Sequence, residues 1–380
     1  MVLSLLCSAR AEGSEVEHEV KQREEKLKEI EEKQEEQEKT SGEITIIEQL
    51  FGEKVRLNGF IESNYEYVDV EDTEDDDSGS RTDLFVSSVA LAVRVYPNKW
   101  SKAKIQLELE DMGKKDETTK ARLDEATVTV KAPWVPLYLT GGKTVMPFGV
   151  FEDHLIEGTL AEDLYEIDEV GATVGFAPDF YGLDISLSVY DDASIMENLN
   201  DFDTHEFREG RQEEGSYESY IANITLEPVE DILSISTFYN SEPGDGRRNN
   251  SIGGALTLNF WKFVLDAEYI AALQREDGEN EQENKESAAV VGLAFDVLDS
   301  MQLAGRYEAF DDDNPGDQDE VLDYRLVSGF NYSLIDLIDI RYIEDIIFSC
   351  EYRFSRFEKE KGSDAADSQK MLQFQLAVEF

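Results

Sequence analysis

From about residue 55 to the C-terminus, apolar and polar residues alternate in segments of roughly ten residues, which is the length of a tilted membrane-spanning strand. The last segment shows the pattern clearly. Leu372, Phe374, Leu376 and Phe380 share one face, and polar residues such as Gln373 share the other. An apolar row toward lipid and a polar row toward water is what the wall of a pore requires. The pattern predicts an all-β transmembrane barrel, with the edge of a soluble β-sandwich as the alternative.

The alternating segments number sixteen, an even number that places both ends of an antiparallel barrel on the same side. The predicted strands lie near 55–69, 83–95, 100–111, 121–131, 136–143, 167–177, 180–191, 216–227, 230–241, 250–260, 262–273, 287–297, 300–310, 321–333, 344–357 and 369–380.

The connections alternate between short turns and long loops, which is how outer-membrane barrels are built, with the short turns in the periplasm. The three tryptophans, Trp100, Trp134 and Trp261, fall at short turns, where an aromatic girdle meets lipid headgroups. We place all eight prolines in connections, because proline cannot donate a hydrogen bond to a sheet. A Gram-negative outer-membrane location follows, with membrane lipid and lipopolysaccharide around the barrel.

The first 54 residues have a different composition. We expect residues 1–11 to be a truncated signal peptide, because a short apolar run precedes an Ala-x-Ala pattern. Residues 12–42 predict a periplasmic coiled-coil helix of Glu, Lys and Gln, and 43–54 a linker to the barrel at 55–380. A frayed terminus and a solvated charged helix are the respective alternatives. Removal of Cys7 with the signal leaves only Cys350, so we expect no internal disulfide.

The net charge of −50, from 35 basic and 85 acidic residues, argues against nucleic acid as a partner, because phosphate binding needs cations. Much of this charge lies in the long loops, such as 201–214 and 276–286. Those loops could hold Ca²⁺ or Mg²⁺ that bridges to lipopolysaccharide, although solvated charge explains them as well. We expect no cofactor beyond such ions and no metal site in the barrel.

With the apolar row facing lipid, charged residues of both signs face the lumen. The predicted pore-lining residues are Arg56, Glu62, Arg94, Lys104, Glu108, Asp266, Glu268, Arg306, Glu308, Arg325, Glu351 and Arg353. They could create a transverse field that orients charged solutes, or they could be ordinary ion pairs of the lumen.

The connection at 144–166 is long and unusually apolar. We expect it to fold into the barrel and narrow the pore, with Glu152, Asp153, His154 and Glu157 as lumen contacts of this constriction loop. A metal-binding role for His154 is a minor alternative.

The stretch Leu139 to Glu152, with the sequence LTGGKTVMPFGVFE, is followed by Leu160-Ala161-Glu162 and by VGATVGF at 170–176. This combination resembles the LbtU-type siderophore porins of Gram-negative bacteria. The resemblance implies TonB-independent uptake of a ferric siderophore by facilitated diffusion. The terminal Phe380 resembles the signal that the outer-membrane assembly machinery reads. The 326 residues of the barrel region cannot supply both the twenty-two strands and the plug of a TonB-dependent receptor.

Other functions fit the same pattern. A general porin, or one for anions or carbohydrates, would use the same fold, and the N-terminal helix would then serve oligomerisation or tethering to the cell wall. A homotrimer is an expected assembly, although the sequence does not fix the number of subunits. We do not expect an enzyme, because the three histidines lie outside the predicted strands and no nucleophile elbow or P-loop is present.

Overall fold

The computed structural model describes residues 54–71, 79–115, 117–191, 193–202, 219–276, 285–312, 321–335, 343–358 and 368–380. The chain divides into two units, Met1–Glu53 and Lys54–Phe380. The predicted signal peptide, coiled-coil helix and most of the linker lie outside the described residues. In the described ranges, no helix is long and apolar enough to cross a membrane.

The described residues contain sixteen strands, in agreement with the number predicted from alternation. They are β1 Val55–Glu71, β2 Gly79–Asn98, β3 Ser101–Met112, β4 Lys120–Lys131, β5 Leu137–Val145, β6 Asp168–Phe176, β7 Asp184–Tyr190, β8 Ser219–Val229, β9 Leu233–Glu242, β10 Asn249–Phe260, β11 Phe263–Gln274, β12 Glu286–Leu298, β13 Met301–Asp312, β14 Val321–Ser333, β15 Asp345–Glu358 and β16 Ser368–Glu379.

Every strand pairs with its neighbours in sequence, and β1 pairs with β16, so the sheet closes into a barrel. At the seam, the backbone N–H of Gly59 donates to the Phe380 carbonyl at 2.8 Å, and the Phe380 N–H donates back at 2.9 Å. A Cβ on Gly59 would lie 2.7 Å from the Phe380 ring. The terminal aromatic ring therefore rests directly on the glycine backbone of the first strand.

Several strand boundaries differ from the prediction, and two of the differences have a clear local cause. Pro97 and Pro228 lie inside the ends of β2 and β8 and not in turns. Both are tolerated there because the register shifts beside them, so neither has to donate to the ladder. In addition, β7 begins at Asp184 and not near 180, since Tyr181 and Gly182 adopt left-handed backbone conformations in the preceding turn.

Among the described residues of the long connections there are two short helices, α1 at Leu160–Tyr165 and α2 at Ser194–Asp201. Thr159 caps α1 by accepting a hydrogen bond from the Glu162 N–H, and the Glu162 side chain accepts one from the Thr159 N–H. This reciprocal capping box fixes the start of a helix of only six residues.

Alternation sorts the side chains of each strand into two faces. On the outer face, large apolar residues such as Ile105, Leu139, Tyr269 and Leu293 are about half exposed. All three tryptophans lie at short turns, and Trp134 is 92% exposed. The opposite alternation places polar and charged residues inside the barrel, as expected for a water-filled lumen.

Candidate functional site

The segment 146–167 leaves β5 and crosses the barrel interior. Near its start, the Pro147 carbonyl accepts a hydrogen bond from Asn223 of β8 at 3.0 Å. Further along, the His154 carbonyl accepts one from Asn331 of β14 at 2.8 Å. Since β14 lies on the far side of a closed sixteen-stranded barrel from β5 and β6, the segment must run through the lumen to reach it. We call residues 146–167 the inner loop.

Wall carboxylates bind the backbone of the inner loop at three places. Glu268 accepts from the N–H groups of Val150 and Phe151 at 2.8 and 3.1 Å. Glu351 accepts from the next part of the loop, the N–H groups of residues 156 and 157. Glu308 accepts from the Leu160 N–H at 2.8 Å. Charge-assisted bonds to backbone amides fix the path of the loop without depending on its side chains.

Arg306 of β13 is the central cation beneath the inner loop, with a side chain only 2% exposed. It donates to the carbonyls of Glu157 and Gly158 at 3.0 and 2.8 Å. It also forms ion pairs with Asp153 and, through Nε at 2.9 Å, with Glu308. A planar guanidinium can satisfy several acceptors at once, so this one side chain joins the loop to the wall.

The remaining predicted loop contacts follow the same pattern. His154 Nε2 lies 2.9 Å from an Asp266 carboxylate oxygen, and Glu157 pairs with Arg353 at 3.3 Å. Glu152, by contrast, is exposed and forms no such contact with the described wall. Three of the four predicted loop residues therefore touch the lumen wall, whereas Glu152 is exposed.

An apolar core fills the same side of the lumen. Phe148 is fully buried and packs against Phe238 of β9, with ring centroids 5.0 Å apart, and against Tyr165 at 6.4 Å. Residues from the inner loop, from α2 and from β8 to β13 complete this cluster. Burial of this apolar surface stabilises the inner loop against the wall, in addition to its polar contacts.

The predicted pore-lining residues of β11 to β15 all face inward, but the inner loop covers them. Their exposed fractions are Asp266 6%, Glu268 8%, Arg306 4%, Glu308 0%, Arg325 9% and Glu351 1%, and the Arg353 side chain is 12% exposed. A solute in the lumen cannot reach most of these groups. Their contacts are with the loop and with one another.

The opposite wall, formed by β1 to β3, carries a row of cations. Arg56 is the direct register partner of Arg94, and Arg94 is the direct partner of Lys104. We call these three residues the basic row. Side chains directly opposite each other on neighbouring strands lie about 5 Å apart at Cβ, where like charges repel.

The basic row has little compensation by carboxylates. Lys104 forms an ion pair with Glu125 at 2.5 Å, but Arg94 donates to the Asn58 amide oxygen at 2.7 Å and Arg56 lies over the Tyr96 ring at 5.7 Å. Within the described ranges, neither arginine has an ion pair. These cations remain available to an anion.

Farther along the same wall, toward the long loops, the charges change sign. Glu62 and Glu108 face inward there, and Glu108 accepts a hydrogen bond from Ser88 and pairs with Arg122 at 3.3 Å. Among the residues that the structure describes, no hydrogen bond or ion pair joins the inner loop to β1, β2, β3 or β4. Arg56 on this wall is exposed and Arg94 is partly exposed, whereas Glu108 is 9% exposed.

The inner loop presents carboxylates with altered acidity. Burial, followed by the nearby carboxylates of Glu162 and Asp168, raises the pKa of Glu166 to about 7. Burial also raises the pKa of Glu157, but Arg353 and a hydrogen bond from Gln373 outweigh that effect, so its pKa lies below the usual value. Glu157 therefore stays charged at neutral pH, while Glu166 changes its charge near neutrality.

Sequence reasoning missed the group that anchors α1. Arg275, 1% exposed, forms an ion pair with Glu286, and Glu286 accepts a hydrogen bond from the Tyr165 hydroxyl at 3.1 Å. One signal was available: several inward positions on β8 to β13 are apolar, where a water-filled lumen predicts polar residues. Those positions are Ile221, Phe238, Ile270, Val290 and Phe310.

No group of three or more His, Cys, Asp or Glu residues in the described part of the chain is arranged to hold a metal ion. The acidic loops, for which Ca²⁺ or Mg²⁺ binding was one of two alternatives, lie largely outside the described residues.

Comparison with known proteins supports the interpretation of this fold as a porin barrel. A family model described as Gram-negative porin matches residues 40–334. A search of curated proteins gives no match. Among solved structures, the anion-selective porin from Comamonas acidovorans shares 13% identity, with coverage of 86% of this chain and 99% of that one, at a TM-score of 0.59.

Two further structures are similar. The outer membrane channel DcaP of Acinetobacter baumannii is 14% identical, with coverage of 85% of this chain and 96% of that one, at a TM-score of 0.60. OmpT of Vibrio cholerae in its trimer form is 14% identical, with coverage of 86% and 99%, at a TM-score of 0.56. These likenesses establish the fold, and the family model covers most of the sequence. The chain belongs to the Gram-negative porin family.

Proposed function

We propose that this outer-membrane diffusion channel passes small anionic solutes along the wall formed by β1 to β3. The single observation that carries the proposal is the basic row, Arg56, Arg94 and Lys104, in a chain of net charge −50. Three cations held side by side repel one another, and an anion between them relieves that repulsion.

The inner loop supports the same proposal because it narrows the lumen from the opposite side. Its exposed carboxylates, Glu152 and Asp163, lie on the loop, and Asp163 also pairs with Arg325 at 3.5 Å. Arg56 and Arg94, which have no ion pair in the described ranges, lie on the wall. Opposite charges across a narrow passage create a transverse field, which orients a charged solute as it passes. The constriction role of the loop is part of this proposal.

The anion-selective name of the Comamonas porin agrees with the proposal, but at 13% identity it is evidence for the fold alone. The residues of this chain must decide selectivity. We expect each row arginine to contribute on the order of 0.5 kcal/mol to the free energy of an anion about 8 Å away in water.

The proposal is tested by reversal potentials in planar bilayers under a KCl gradient. The substitutions Arg56→Gln and Arg94→Gln should each lower the chloride-to-potassium permeability ratio about two-fold, as expected from Coulomb energies in water. The double variant should lower it further.

Lys370→Gln provides a control with the same change of charge. Lys370 lies at the rim near the long loops, where it pairs with Glu71 at 3.0 Å, outside the proposed path. Its permeability ratio should stay close to that of the unaltered chain. An unchanged ratio in the double arginine variant would contradict the proposal.

A ferric siderophore as the transported solute stays a prediction, supported by the resemblance of residues 139–152 and 170–176. Uptake of labelled ferric siderophore should fall when the gene is deleted; equal uptake would leave the anion channel as the remaining function. The homotrimer, contact with the assembly machinery through Phe380, and the periplasmic helix also remain predictions.

A further inference from the structure

A row of uncharged hydroxyl side chains crosses the inner face of the barrel near the short-turn end. Its four members, one on each of β4 to β7, are successive register partners: Thr129, Thr140, Thr173 and Ser188. Alternation places them inside, because the residues beside them, such as Leu139 and Val174, are about half exposed on the outer face. We call these four residues the hydroxyl row.

Only part of the hydroxyl row is accessible. Thr129 and Thr140 are partly exposed, whereas Thr173 is 8% exposed and Ser188 is 0% exposed. The Oγ1 atoms of Thr129 and Thr140 lie 3.0 Å apart. A pair of hydroxyl groups uses only one of its two hydrogens for this bond, so the pair can still donate the other and accept through its remaining lone pairs. These two threonines therefore present both a donor and acceptors to a solute.

A second polar group lies closer to the short turns on the same wall. The Tyr138 ring lies over Gly175, its register partner on β6, where a Cβ would clash with the ring. In this position the Tyr138 hydroxyl donates to Asp184 of β7 at 3.0 Å. Asp184 is the register partner of Thr225 on β8, and Tyr138, Asp184 and Thr225 are all partly exposed. This group extends the hydrogen-bonding surface to β8.

The basic row borders this surface directly. On β3, the inward residue next to Lys104 is Lys102, which is the register partner of Thr129. Lys102 is exposed, as is Lys131 at the end of β4. Neighbouring strands lie about 4.8 Å apart, so the backbones at Lys102 and Thr140, two strands apart, are separated by about 10 Å. Cations and hydroxyl groups are thus within reach of one small solute.

We propose that this region of the lumen binds small anions that carry several hydroxyl groups, such as six-carbon sugar acids. The inference rests on the proposed function, because the cations of β1 to β4 hold the anionic end. Thr129, Thr140 and Tyr138 exchange hydrogen bonds with the hydroxyl end. Asp184 accepts hydrogen bonds from hydroxyl groups and repels a carboxylate, so it sets the orientation of the solute.

The hydroxyl groups give the site a preference among anions. A site that hydrogen-bonds the hydroxyl groups of a solute discriminates against an analogue that lacks them. Water competes for the same donors and acceptors in a lumen, so the preference is expected to be several-fold and not larger.

The test is block of the KCl current through single channels of the full chain in planar bilayers. Gluconate is the probe. Hexanoate has the same chain length and charge but no hydroxyl groups, and sorbitol has the same chain length and hydroxyl groups but no charge. The concentration of each compound that gives half of its maximal block is compared.

A double variant tests the assigned residues. Tyr138→Phe together with Thr140→Val removes two hydroxyl groups from the surface, while the aromatic ring over Gly175 and the branched shape at position 140 are kept. Thr237→Val, at an exposed position on the outer face of β9, is the matched control.

We expect gluconate to reach half-block at a concentration about five-fold lower than that of hexanoate or sorbitol. The double variant should raise the gluconate concentration about five-fold, the usual effect of losing one or two hydrogen bonds in competition with water. Thr237→Val should leave it unchanged. Equal block by gluconate and hexanoate, equal block by sorbitol, or an unchanged gluconate value in the double variant would overturn the inference.

Arg94→Gln separates this inference from the proposed function. It should weaken the block by gluconate and by hexanoate by the same factor of about two, because both carry one negative charge. If that factor is found while gluconate has no advantage over hexanoate, only the present inference fails. If Arg94→Gln changes the block by neither anion, the proposed function fails.

Discussion

Two parts of the inner wall use the same residue types for different purposes. On β11 to β15, arginines and carboxylates are buried beneath the inner loop and form ion pairs with one another and with the loop. On β1 to β3, Arg56 is exposed, Arg94 is partly exposed, and neither has an ion pair in the described ranges. An inward position therefore does not by itself mean contact with solute, and what covers the side chain decides its role.

The difference has an energetic basis. Burying a charge is costly unless it is paired and hydrogen-bonded, and Arg306 meets that condition through Asp153, Glu308 and two loop carbonyls. The desolvation free energy of Arg56 and Arg94 is smaller, because both side chains remain partly in water. A buried arginine on the covered wall therefore needs ion-pair partners, whereas a partly exposed arginine on β1 to β3 does not.

The largest expected effect comes from breaking the covered wall. Arg306→Met removes the guanidinium from Asp153 and leaves Glu308 with Arg325 as its remaining basic partner, at 3.3 Å. We expect the free energy of unfolding to fall by about 3–5 kcal/mol, as for other buried pairs that lose one member. Urea unfolding in detergent micelles measures this loss, and current noise should rise as the inner loop loosens.

Arg94→Met on the open wall is the matched control, because it removes an inward arginine that has no ion pair in the described part of the barrel. Its effect on unfolding should stay below about 1 kcal/mol, as for a partly exposed polar contact. Equal destabilisation by the two substitutions would remove the distinction between the walls.

A smaller effect concerns pH and the loop residue Glu166. Its pKa of about 7 exceeds the ordinary value of 4.5, so the folded chain binds a proton that the unfolded chain has released between these values. Stability should therefore decrease as pH rises through this window, and the cost should be complete above about pH 7. Solvent screening limits it to on the order of 1 kcal/mol.

Glu166→Gln cannot ionise, so its loss of stability between pH 5 and pH 8 should be smaller than that of the unaltered chain. Unfolding midpoints at the two pH values measure the difference. An identical pH dependence in the variant would show that another group is responsible.

The sequence predicts the barrel well because alternation is a local property of each strand. Alternate positions along a strand lie on opposite faces, and this rule assigns Arg306 and Arg94 to the inner face. The sequence also indicates that the connection after β5 enters the barrel, because Met146 and Phe148 are too apolar for a loop in water.

The alternation of inward and outward positions along a strand cannot show which inward residues the loop covers. That depends on contacts between segments far apart in sequence, such as the Ile156 N–H with Glu351, 195 residues later. Almost every residue has a backbone N–H group, so the sequence does not show which of them Glu268 and Glu351 bind. Their role in binding the loop was therefore not predictable from residue type. The inward apolar residues of β8 to β13 are the sequence signal for a covered wall.

The most direct test of the two-wall account is the accessibility of inward cysteines to a charged thiol reagent during conductance recording. In a Cys350→Ser background, Gln106→Cys lies on the open wall of β3, and Val290→Cys, 5% exposed, lies beneath the inner loop. We predict rapid modification and a fall in current for Gln106→Cys, with no change for Val290→Cys. Equal reaction at both positions, or reaction at Val290→Cys alone, would contradict the account.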